Sequence, residues 1–223
     1  MKIALKFVYI LMPAAILMAF LFAPKAAILG DTSRVIFFHV PAAMVSVFAF
    51  LYAGIASIIF LIKKQPNDLL SEKAYNSAVI GLVFAILTTI TGSLWAKMAW
   101  GSYWNWDPRE TSIVILLLIY IAYLSLYSSL SESSARGRIC SVYLIIAMAV
   151  MPFFVFVVPR VYQSLHPDTI INSEGTLQME ASMRLTLLVS SIAFICLYAY
   201  ILNLKNRISH IKKDLYDKGV TFE

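Results

Sequence analysis

Six long apolar runs limit what this chain can fold into. They lie near residues 3–22, 36–62, 74–95, 111–130, 139–158 and 183–204. Each is about as long as the roughly 20 residues an α-helix needs to cross the hydrocarbon core of a bilayer. With 61% of residues hydrophobic and 13% charged, the composition is not that of a soluble domain. The expected fold class is an all-α integral membrane protein with six transmembrane helices. The expected organisation is a single six-helix membrane domain over 1–223. The first run follows Lys2 and Lys6 as a secretory signal would, but it exceeds the about 7–15 residues of a typical signal core and is read as the first helix.

Charge sets the expected orientation. If the helices alternate from a cytoplasmic N-terminus, Lys25, Arg34, Lys97, Arg109, Arg160 and Arg184 fall outside, and the other twelve of the 18 Lys and Arg fall inside. That bias obeys the positive-inside rule and makes both termini cytoplasmic. The net charge of +6 is spread in short clusters between apolar runs, so it does not form a face for nucleic acid. The basic tail after Leu204 reads as a helix end lying on anionic membrane lipid. The inner turns, Lys63 to Asp68 and Ser131 to Arg138, hold no Walker lysine loop and no GxGxxG. Cys140 and Cys196 sit in apolar runs without CxxC spacing, so no zinc site, disulfide or covalent haem attachment is expected of them.

The unusual chemistry is concentrated in Trp100-Gly101-Ser102-Tyr103-Trp104-Asn105-Trp106-Asp107-Pro108-Arg109-Glu110, in an outward-facing segment at about 95–110. Tryptophan and tyrosine collect at membrane interfaces as anchors, and Trp95 is assigned to that belt. Trp100, Trp104, Trp106 and Tyr103 in one short non-helical segment are denser than anchoring requires, and indole faces stack well on flat ligands. Gly101 would permit close approach of the backbone. Asp107 precedes a proline and stands three residues before Glu110, the pattern of an N-cap with a capping box.

Two of the three histidines, His39 and His166, fall on the same outward side. Either alone could be satisfied by a neighbouring polar group. Beside an aromatic bed, two neutral imidazoles could be the axial ligands of a haem iron. An outward arginine such as Arg109, Arg34, Arg160 or Arg184 could pair with a haem propionate, or simply snorkel to the interface.

The Trp100 to Asp107 stretch resembles the WGxxWxWD signature of the WWD-domain haem-handling family of cytochrome c maturation (System I). The resemblance is closest to the CcmC (haem exporter protein C) branch and covers nearly the whole chain. It departs at Val161-Tyr162, where that branch often carries a tryptophan pair. The resemblance implies non-covalent haem b on the outer (periplasmic) face of the bacterial inner membrane, with His39 and His166 on the iron and Trp100–Asp107 at the haem edge. It also implies delivery of that haem to the chaperone CcmE, with an ABC-type CcmA/CcmB complex as a further partner. The resemblance favours a haem-handling and transfer protein over a classical enzyme. The alternatives are a cytochrome c haem lyase of the CcsA/CcmF branch, whose members are usually larger with more histidines, and a permease subunit of a haem exporter. The runs for helices two, five and six offer a permease no acidic or basic side chain mid-membrane.

Overall fold

The computed structural model describes residues 2–26, 29–63, 68–131, 133–166 and 179–219. Among them, six helical segments are long and apolar enough to cross a membrane, and there is no strand, as the apolar runs require. Residues 64–67 between the second and third spans, residue 132 between the fourth and fifth and residues 167–178 between the fifth and sixth lie outside the described residues.

The first span is α1 (Lys2–Leu17), extended by a π-helical turn, Met18–Phe22. A 3-10 turn, Asp31–Val35, leads into α2 (Ile36–Ile62). The aromatic segment joins α3 (Asp68–Trp100) to α4 (Pro108–Ser129). The fifth span has three parts: α5 (Arg136–Pro152), a π-helical stretch Phe153–Val157, and a last turn, α6 (Val158–Val161). The sixth is α7 (Ala181–Asp217), which carries the basic tail as an unbroken helix. One boundary corrects an expectation: α3 outlasts its apolar run, so Trp100 is its last residue and not part of a non-helical segment.

Between helices in lipid, packing shape replaces the hydrophobic drive of a soluble core. The central helix α2 packs most extensively on α3 and also on α5 and α7, while α1 leans on α7. Small residues permit the approach. A Cβ on Gly54 would stand 2.6 Å from the Met148 Cβ, and one on Gly81 would stand 2.6 Å from the Phe50 ring. In the half of the bundle away from the aromatic segment, Tyr75 stacks on Tyr127 at 3.9 Å between centroids. Near mid-bundle, Phe50 stacks on Tyr120 at 3.4 Å. The Tyr127 hydroxyl donates to Glu72, and the Arg136 guanidinium lies 4.7 Å over the Tyr127 ring.

The other half is looser because the fifth span changes its winding. Pro159 has no N–H to offer the carbonyl four residues back, and the chain instead closes a wider turn, Val158 N–H to Phe153 O. Arg160 Nη1 donates to the Phe156 carbonyl at 2.7 Å, satisfying a backbone group that lipid could not. Between this π-helical end and the first half of α2 the bundle leaves a cavity that is open on one side.

Candidate functional site

The segment after α3 is held by its own polar groups. Gly101 ends the helix at φ 82°, its N–H donating to Lys97 O at 3.1 Å, and Lys97 Nζ returns a bond to Gly101 O at 2.8 Å. Open space surrounds the position of a Cβ there, and the positive φ suits a glycine that ends a helix. Ser93 Oγ donates to Tyr103 O at 2.8 Å, which ties the loop back onto α3. Trp106 also has a positive φ, 57°, a strained state for a bulky residue, and its indole meets that of Trp104 edge to face at 5.9 Å.

Asp107 joins three segments. As N-cap of α4 its Oδ1 accepts the Arg109 N–H at 2.9 Å, while Glu110 Oε2 accepts the N–H groups of Asp107 at 3.3 Å and Asn105 at 2.7 Å. The expected capping box is therefore present. The same carboxylate also takes Ser164 Oγ at 2.8 Å, Leu165 N–H at 2.6 Å and His166 Nδ1 at 3.0 Å. Burial would raise its pKa. The Arg109 and Leu165 N–H groups, the Ser164 hydroxyl and His166 outweigh that and hold it below the ordinary value. Burial lowers the pKa of His166, Arg109 adds to this, and the Asp107 carboxylate only partly opposes it. At neutral pH His166 is thus an uncharged imidazole donating Nδ1–H to a carboxylate, with Nε2 left as a lone-pair donor.

His166 is packed by two indoles. Trp100 meets its ring edge to face at 4.9 Å, and Trp95 lies at 6.0 Å and against Trp100 at 4.9 Å. Trp95 therefore belongs to the site's support. Its relation to His166, remote in sequence, could not be read from the chain, although Thr88, Gly92 and Trp95 recur at the spacing of one helix face.

His39 comes from the first turn of α2. Its ring sits so close to α3 that a Cβ on Gly92 would be 2.8 Å from Cε1. Its Nδ1 lies 3.0 Å from Thr91 Oγ1. Both histidines line one cavity of about 580 Å³, within the range of sites for small ligands and cofactors, together with Trp104, Arg109, Glu110 and Ser112. Below them the walls are apolar, from Val47, Phe50 and Leu51 of α2 to Met151, Phe154 and Val155 of the fifth span.

Of the residues singled out in the sequence, His39, His166, Trp104 and Arg109 line the cavity. Trp100 and Asp107 stand behind His166. Tyr103 and Trp106 are exposed, Trp106 by 77%, and Gly101 is exposed in the turn. Among the other arginines, Arg34 is bound to Asp31 and to the carbonyls of Ala19 and Ala23, where it closes the end of the first span. Arg160 serves the Phe156 carbonyl, and Arg184 is exposed on α7.

No group of three or more His, Cys, Asp or Glu able to hold a metal ion occurs among the described residues. An iron already carrying four porphyrin nitrogens needs only two more donors. Two imidazoles whose Nδ1 atoms are engaged by Thr91 and Asp107, an indole, a guanidinium and apolar walls on one ligand-sized cavity fit such a group.

The sequence profile of the family described as Heme exporter protein C matches residues 1–220. The chain is 34% identical over 169 residues to Heme exporter protein C of Bradyrhizobium diazoefficiens, covering 76% of this chain and 63% of that one. It is 37% identical over 123 residues to the Rhodobacter capsulatus protein of that name, covering 55% and 50%. With the Haemophilus influenzae protein it shares 27% over 205 residues, 92% and 82% of the two chains. The alignments thus span between half and four-fifths of these relatives.

Proposed function

The chain belongs to the heme exporter protein C family, and on that premise we propose that it binds haem b non-covalently at the outer face of the bacterial inner membrane and delivers it to the chaperone CcmE during cytochrome c maturation. The observation that carries this reading is that His39 and His166, 127 positions apart in sequence, line one cavity with Trp104 and Arg109. A bound haem would supply iron for ligation and a reactive porphyrin edge. His39 and His166 offer one Nε2 each, Trp104 offers an indole for stacking, and Arg109 offers a guanidinium for a propionate. The apolar lower walls keep water from that part of the macrocycle. Twofold imidazole ligation leaves no open position on the iron for oxygen. The chain's work is then to hold and present its cargo. CcmE would take the haem covalently, and the CcmA/CcmB complex would act on the loaded chaperone.

The test is acceptor choice. Expressed with CcmE alone, the protein should yield CcmE carrying covalent haem. Expressed with an apocytochrome alone, it should yield none. Covalent haem on the apocytochrome and none on CcmE would overturn delivery in favour of a lyase.

A further inference from the structure

The two histidines have unequal partners, and the difference can be traced atom by atom. Thr91 Oγ1 stands 2.8 Å from Leu87 O and 3.2 Å from Thr88 O, both acceptors for its single proton, and 3.0 Å from His39 Nδ1. The side-chain partner of His39 Nδ1 is thus a neutral hydroxyl whose proton is shared with backbone carbonyls. His166 donates its Nδ1–H to the Asp107 carboxylate, 3.0 Å away, in a charge-assisted bond. That carboxylate is fixed by the Arg109 and Leu165 N–H groups and by Ser164. A carboxylate behind an imidazole fixes the ring and makes its other nitrogen a more basic ligand, whereas a hydroxyl does this weakly.

The supports differ in the same sense. Trp95 and Trp100 pack on the His166 ring. His39 rests against α3 at Gly92 beside the Thr91 hydroxyl, and no ring stacking on it is seen among the described residues.

We propose that Asp107 is a positioning residue that makes His166 the fixed axial ligand of the bound haem, leaving His39 as the ligand that yields first when another donor competes for the iron. This rests on the haem reading above and adds a direction to release. The iron face toward α2 opens first, and the haem leaves last from the loop that carries His166.

The experiment uses the purified full-length protein loaded with haem, whose loss to an excess of apoglobin is followed spectroscopically. His39→Ala should keep haem as a five-coordinate, high-spin species, and His166→Ala should lose it at least about tenfold faster than His39→Ala. Asp107→Asn should release haem about 10–100-fold faster than wild type and raise its reduction potential, since a less basic ligand favours ferric iron less. Thr91→Val should change either quantity only slightly. Ser164→Ala, which loosens the same loop but leaves the imidazole on its carboxylate, should keep the wild-type potential. Equal haem loss from the two histidine variants, or a wild-type potential in Asp107→Asn, would overturn the inference while leaving haem binding intact. Wild-type protein without low-spin haem would overturn the underlying reading, and this inference with it.

Discussion

The two halves of the bundle solve opposite problems with the same helices. Away from the aromatic segment, α2 to α5 close on ring stacks and small residues: Tyr75 lies flat on Tyr127, and Gly54 leaves no room beside Met148. At the end bearing the aromatic segment the fifth span widens into a π-helix, and about 580 Å³ is left open beside α2. Order there comes from hydrogen bonds converging on Asp107, with Trp95 and Trp100 packed behind His166. The contrast teaches that in lipid an open site needs a tight base. The packed half carries stability, and polar anchoring gives the open half its geometry.

The largest effect expected from this division is on stability. Tyr123→Ala, which removes a buried ring packed beside Tyr75 and Tyr127, should cost roughly 3–5 kcal/mol, read as a lowered unfolding midpoint in detergent. A loss below about 1 kcal/mol would break the claim that this half holds the bundle. Gly92→Ala should do the reverse. Its Cβ would press on His39, weakening haem retention about tenfold by absorbance titration, while the gain in helix propensity, about 1 kcal/mol, offsets the local strain. Smaller again is Trp104→Ala, expected to cost about 1 kcal/mol of haem affinity through lost stacking. Trp106→Ala, at an exposed ring, should cost less. The reverse order would relocate the ligand-facing indole.

The smallest predicted effect concerns acid. The folded pKa of Asp107 lies below its ordinary value of 3.8, so its contribution to loop docking is complete above that pH. It fades only as pH falls through the still lower folded value. Tryptophan fluorescence of the haem-free protein should therefore show no Asp107-dependent loosening between pH 7 and pH 5, and Asp107→Asn should show it throughout.

The spans were legible because lipid demands long apolar runs, and the start of α4 because Asp107-Pro108-Arg109-Glu110 carries its own capping chemistry. The histidine pair could be suspected from topology alone. What could not be read depends on contacts between segments remote in sequence. Asp107 looked like a helix cap, and its bonds to Ser164, Leu165 and His166 appear only once the end of the fifth span meets the start of α4. Trp95 looked like an interfacial anchor, yet it packs on His166. Trp100 ends a helix because the structure continues α3 beyond its apolar stretch. Arg34 looked free to meet a propionate, and its partners are instead the carbonyls closing the first span. Orientation in the membrane rests on charge bias. Cysteines placed at Ser102 and Ser134 and labelled in intact cells check it, with only the first expected to react from outside.

The central claim is that one cavity holds haem between His39 and His166. The absorption spectrum of protein purified from haem-replete cells, taken beside those of His39→Ala and His166→Ala, tests it most directly. The account predicts low-spin haem in the wild type and a changed spectrum in each variant. A haem-free wild type, or variants with spectra indistinguishable from it, would contradict the account.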